Sequence, residues 1–212
     1  MKSPFRMKRN NEVFIQKSAI IFSVILGLGS INPAAAEESS TAIRSVGAQK
    51  CGDIVKVLIE NKDNEVVANI YLQWLSGFVS AYNIDHKVFD AFPIRAPGNE
   101  ILRFFVALCA VNADVNFVSI VVAGLKAVEP FQAVKPDDLR SIEVEGTKYQ
   151  FYKQYIKASQ LYLRGIGHRV VADGLFGAVT EAAFRKYKKE NNLSGPPVPD
   201  YTFLLSMIQN KE

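Results

Sequence analysis

The sequence predicts an all-α protein, a disulfide-linked four-helix module followed by a three-helix module. Three observations predict it. Between Asn64 and Asn83, the residues Val67, Ile70, Tyr71, Trp74, Leu75, Phe78 and Tyr82 recur at spacings of three and four, the apolar face of a long helix. Asn99–Val111 is apolar on nearly every side, the pattern of a buried helix. Near the C-terminus, Ala183, Phe184, Tyr187 and Asn191 follow Thr180 at helical spacing, with Gly177 as the N-cap.

The first 36 residues read as a leader rather than as part of the fold. Lys2, Arg6, Lys8, Arg9 and Lys17 precede the apolar run Ser18–Gly29, and Asn32–Ala36 ends in small residues. That order is the pattern of a signal peptide, here cleaved after Ala36, and it predicts export to the periplasm. The run is shorter than the roughly 20 residues a membrane span needs, so no span is expected after cleavage. Residues 37–212 hold 20 basic and 20 acidic side chains, so the formal charge of +4 belongs to the leader. The basic footprint of a nucleic-acid binder is missing, and nucleic acid is not expected as a partner.

Residues 37–50 are small and polar, a flexible N-terminus. The predicted helical module covers residues 51–128. Asp53 is placed to cap a first helix through Ile54, Val55, Leu58 and Ile59, and the second helix starts near Asn64. Ala91–Gly98, with Pro93 and Pro97, is a connection. The third helix is Asn99–Val111, and the fourth, Asn116–Val128, is stopped by Pro130. Cys51 and Cys109 are the only cysteines, and an even pair in an exported chain predicts a disulfide.

Residues 129–147 carry two prolines and an acidic surplus, and read as a linker with a short strand at Ser141–Val144. The second module, residues 148–212, is predicted to open with a helix over Lys148–Arg164. Tyr152, Tyr155, Ile156, Ser159, Tyr162 and Leu163 share one face of it. Arg185, Lys186, Lys188 and Lys189 give the next helix a basic face suited to anionic carboxylates, and Asp200 caps a last helix ending at Gln209.

The most informative stretch is Asp173-Gly174-Leu175-Phe176-Gly177-Ala178-Val179-Thr180. Asp-Gly is turn chemistry, Phe176 is an apolar plug in a loop, and Gly177 permits tight entry into a helix. From Tyr155 to Ile208 the chain resembles the repeat of peptidoglycan-binding domains. Gln160, Leu163 and Gly167 fall where that family has Gln, Leu and Gly, and Tyr187-Lys188 stands for its Phe-Gln. Ala178 replaces the usual proline. The resemblance implies a three-helix fold and peptidoglycan as partner, with Asp173, Gly174, Phe176, Gly177, Thr180 and Tyr187 shaping the ligand-binding surface. Cys51, Trp74-Leu75-Ser76-Gly77 and Cys109-Ala110-Val111-Asn112 resemble small periplasmic helical proteins, the HdeA-type acid-stress chaperones and the Rap1a/Tai immunity proteins. Trp74 then reads as a core anchor, with Gly77 allowing a close helix contact.

No catalytic constellation stands out. The two histidines, His86 and His168, lie in different modules, and Cys109 has no base near it in sequence. Neither a metal nor a cofactor is implied. The expected function is a non-catalytic exported protein that associates with peptidoglycan through its C-terminal module. Its N-terminal module would bind another envelope protein or component. The alternatives are a cell-wall hydrolase or its accessory subunit, and a periplasmic immunity or chaperone protein.

Overall fold

A computed structural model describes residues 42–95 and 99–209, so the expected leader and the expected cleavage after Ala36 lie outside the described residues. Within the described residues the chain is mainly helical, with seven α-helices and one two-stranded sheet. Ile43–Glu212 forms a single compact unit.

Helix α1 (Cys51–Glu60) starts two residues before its expected cap, and Asp53 lies in its first turn. The reason is tertiary. The Cys51 and Gly52 N–H groups donate to Val115 O and Ala113 O, both at 2.9 Å. These two helix-end donors are thereby satisfied without a capping side chain. Helix α2 (Glu65–His86) is capped by Asn64, whose side chain accepts from Val66 N, and it runs past Asn83 to a left-handed Lys87. Helices α3 (Glu100–Ala110) and α4 (Phe117–Ala127) follow.

Cys51 and Cys109 are bonded, with Cα atoms 4.8 Å apart, and both are fully buried. Trp74 is half-buried and stacks on Phe78 at 5.3 Å, with Phe117 at 5.5 Å. The close approach expected at Gly77 is not there, since a Cβ on Gly77 would meet nothing within 4 Å. The glycine that Trp74 needs is Gly47, where a Cβ would lie 2.4 Å from the indole Cζ2.

The helix expected from Lys148 begins later. Strands β1 (Leu139–Val144) and β2 (Thr147–Tyr152) pair antiparallel, with Val144 opposite Thr147. Glu145 and Gly146, at φ 53° and 74°, form the two-residue turn, whose left-handed backbone matches the strand twist. Helix α5 (Lys153–Gly165) leaves directly from β2, and α6 (Ala178–Glu190) and α7 (Tyr201–Gln209) complete the chain.

The hairpin joins the early helices to the late ones. Ile94 bridges to Phe151, Arg95 N donates to Gln150 O at 2.9 Å, and the Tyr152 hydroxyl donates to Asp90 at 2.8 Å. Phe104, Phe105, Phe117, Phe151, Tyr155, Phe184 and Phe203 are all buried in one connected core.

Candidate functional site

The segment between α5 and α6 is built around one buried side chain, Gln160. Its Oε1 accepts from Gly174 N at 2.8 Å. Its Nε2 lies 2.7 Å from Leu175 O, 3.1 Å from Thr180 Oγ1 and 3.3 Å from Asp173 Oδ1. One fully buried amide thus meets four groups of the loop and of the first turn of α6. Leaving such a group unpaired in the interior would be costly, so the amide dictates the loop's path.

Asp173 turns its carboxylate back on its own loop and accepts from Leu175 N at 2.8 Å. That bond, chiefly, holds the carboxyl below the usual carboxylate range. Gly174 has φ 75°, and a Cβ there would lie 2.9 Å from Lys153 O, so glycine is required twice over. Phe176 is half-buried and stacks on Phe184 at 5.9 Å. Thr180 is buried with its hydroxyl on Gln160.

Tyr187 stands apart from the others. It is 2% exposed, and its hydroxyl lies 3.1 Å from Ser206 Oγ and 3.2 Å from the Tyr162 hydroxyl. Gly177 caps α6 with an ordinary extended backbone (φ −128°), and a Cβ on it would meet nothing within 4 Å. Asp173, Gly174 and Thr180 therefore converge on one residue, Tyr187 lies in the core, and Gly177 remains exposed. The loop's outward surface includes Val171, Leu175 and Val179, exposed by 70%, 58% and 64%, beside the exposed Asp173, Gly177 and Ala178.

The basic face expected on α6 is reduced by pairing. Arg185 bonds Glu145 at 3.1 Å and Glu181 at 2.7 Å, and Lys186 lies 3.7 Å from Glu190. Lys188 is not on the surface at all. Its Nζ lies 2.6 Å from Asp200 Oδ2, with both side chains about 95% buried (4% and 5% exposed). Burial lowers the Lys188 pKa, which the adjacent Asp200 charge opposes.

Asp200 in turn caps α7, its Oδ1 accepting from Phe203 N at 3.2 Å. Glu100 of α3 reaches the same helix end and accepts from Tyr201 N at 2.9 Å. Burial pushes the Glu100 carboxyl up to about 7, a rise that the Tyr201 bond opposes and the nearby Asp200 reinforces. Glu100 and Asp200 escaped the sequence reading as a pair. The one available signal was an acidic residue at the start of a helix that is apolar but for Arg103.

A separate open groove of about 620 Å³ runs beside α2 and α4, lined by Phe78, Ala81, Tyr82, His86, Val122 and Lys126, with Asp85 and Glu129. His86 stacks on Tyr82 at 3.7 Å. Among the described residues no group of His, Cys, Asp and Glu is arranged to hold a metal ion. No described helix is long and apolar enough to cross a membrane. Comparison of the chain with protein families, curated proteins and solved structures returned no match.

Proposed function

We propose that this is a non-catalytic exported protein that associates with peptidoglycan through the loop joining α5 and α6, while α1–α4 engage another envelope component. On this reading α1–α4 and α5–α7 are a four-helix and a three-helix module, joined by the hairpin. The observation that carries it is the division of labour in the loop. Every inward group of Asp173–Thr180 is engaged by Gln160 or by the core, whereas Val171, Leu175, Gly177 and Val179 face outward. A rigid loop presenting exposed aliphatic side chains beside an uncrowded glycine suits contact with a polymer whose peptide and sugar units have apolar faces.

The test is co-sedimentation of the oxidised protein with purified sacculi, beside Leu175→Asp and Val179→Asp variants. Both side chains are exposed, so neither change should disturb the fold. Binding by the parent that is lost in both variants is the expected result. An unbound parent, or variants that sediment equally well, would discard the reading. A chain shortened near Gly146 is a poor control, because it strips Phe151, Tyr155 and α7 from the shared core.

A further inference from the structure

The exposed face of α5 is basic and carries no counter-charge. From Tyr149 to Ala172 the chain has no acidic residue, whereas it has Lys153, Lys157, Arg164 and Arg169. Residues 37–212 as a whole are balanced in charge, so the imbalance is local. Lys153, Lys157, Leu161 and Arg164 follow at steps of four, four and three, one stripe along the helix. Tyr155, Ile156, Ser159, Gln160 and Leu163 are turned into the core. Among the described residues none of the four cations is in an ion pair.

Helix α6 shows what an ordinary solvated face looks like. There Arg185 pairs with Glu181, and Lys186 with Glu190, each four residues apart. On α5 the residue four after Lys153 is another cation, Lys157, and like charges at that spacing disfavour a helix. The residue four after Lys157 is Leu161, 44% exposed. The stripe therefore contributes nothing to the helix that carries it.

The loop that follows brings Arg169 alongside. His168 N donates to Leu163 O at 2.9 Å and Gly174 N to Gln160 Oε1 at 2.8 Å, and a Cβ on Gly174 would lie 2.9 Å from Lys153 O. Residues 168–174 thus run back beside α5 from its last turn to its first, with Arg169 and Val171 exposed on the way. Two acids border this run and both are engaged. Asp173 accepts from Leu175 N and Gln160 Nε2, and Glu190 meets His168 at 3.6 Å and Lys186 at 3.7 Å.

We propose that Lys153, Lys157, Arg164 and Arg169 bind the free carboxylates of peptidoglycan's peptide stems, so that the peptide rather than the glycan is recognised. The assignment rests on the association with peptidoglycan proposed above and extends that surface from the loop onto α5. A neutral sugar chain has no use for unpaired cations. A peptide stem offers carboxylates, which Lys and Arg bind through charge-assisted hydrogen bonds. It also offers methyl groups, for which Leu161, Ile166 and Val171 stand exposed among the cations.

Co-sedimentation of the oxidised protein with purified sacculi tests this at about 0.1 M and about 1 M salt, where charges are felt over about 10 Å and about 3 Å. Sacculi whose carboxylates have been converted to amides, and the variants Lys157→Glu and Arg169→Glu, complete the set. The parent should bind at low salt, weaken at least tenfold at high salt, and lose binding to amidated sacculi. Each reversal should weaken binding about tenfold, and Lys157→Arg should bind as the parent does. The amidated sacculi test the unmutated protein, so the result stands should a variant fold poorly. A parent that binds amidated sacculi equally well, with no effect of salt or reversal, would overturn this assignment and leave the wall association standing. A parent that binds no sacculi at all would overturn both. Equal adhesion to phosphatidylglycerol vesicles would show an unselective anion surface and overturn the assignment to peptide stems.

Discussion

The backbone N–H of Tyr201 donates to Glu100 Oε2 at 2.9 Å, across one hundred and one residues of chain. The bond fastens the first turn of α7 to the first turn of α3, and the Asp200 carboxylate caps the same turn of α7. Two carboxyl groups therefore share one helix N-terminus. Its dipole favours negative charge there, and burial opposes it.

For Glu100 burial wins, which fixes the sign of a pH effect. Its folded pKa, about 7, lies above the ordinary 4.5. The folded state therefore binds the proton more tightly, and the associated stability is complete below about pH 4.5 and lost as pH rises through 7. Across that window it amounts to about 3 kcal/mol at most. The groups facing Glu100 are Asp200, which raises its pKa, and Arg103 and Lys188, which lower it. Glu100→Gln keeps an acceptor for Tyr201 N and removes the titration. Thermal midpoints of parent and variant should diverge between pH 5 and 8, the variant gaining on the parent as pH rises. Parallel curves would refute the assignment.

Lys188 and Asp200 form the other charged element of this core. Removing one partner of a buried pair leaves an uncompensated charge, a loss of about 3–5 kcal/mol. Lys188→Met should fall in that range by urea unfolding. Asp200→Asn, which retains a capping oxygen for Phe203 N, should also destabilise. The double variant should lose less than the sum of the two. Additive losses would mean that the 2.6 Å contact carries no coupling.

Gln160 offers a way to separate loop shape from loop surface. Gln160→Ala removes bonds to Gly174, Leu175, Thr180 and Asp173 together. A loss of about 2–4 kcal/mol is expected from several buried groups left unpaired. Amide exchange should accelerate at Gly174 and Thr180 above all. Gly177→Ala, at an open position with an ordinary φ, should leave stability within about 0.5 kcal/mol. If Gly177→Ala proved as damaging as Gln160→Ala, the loop's order would have another source.

The helices of residues 51–128 were legible because their apolar spacing is unambiguous and tertiary contacts shifted only their ends. Asp53 lost the cap position to backbone acceptors at Ala113 and Val115, which no local pattern reveals. The hairpin was half-seen. Its second strand, Thr147–Tyr152, offers tyrosines that also fit a helix face, and its turn is Glu-Gly rather than Asn-Gly. Lys188 was misread because Arg185–Lys189 looks like a solvated run. Only the position of Asp200, twelve residues on, makes its burial tolerable. In the loop, Asp173, Gly174 and Thr180 were recognisable as a set, but their shared partner at Gln160 required the fold.

The Cys51–Cys109 bond closes a loop of 58 residues and ties the start of α1 to the end of α3. By the chain-entropy estimate such a cross-link restricts the unfolded state by about 4 kcal/mol. Both cysteines are fully buried in the core, so the native protein should show no reactive thiol until it is unfolded. Replacing both cysteines by alanine should lower the urea midpoint by the equivalent of about 2–4 kcal/mol, allowing for structure left in the unfolded chain. The start of α1 is also held by Val115 and Ala113, so the variant should keep its helical content. Two titratable thiols in the native protein without reductant would contradict the bond, and an unchanged midpoint in the double variant would mean that the backbone contacts alone hold α1 in place.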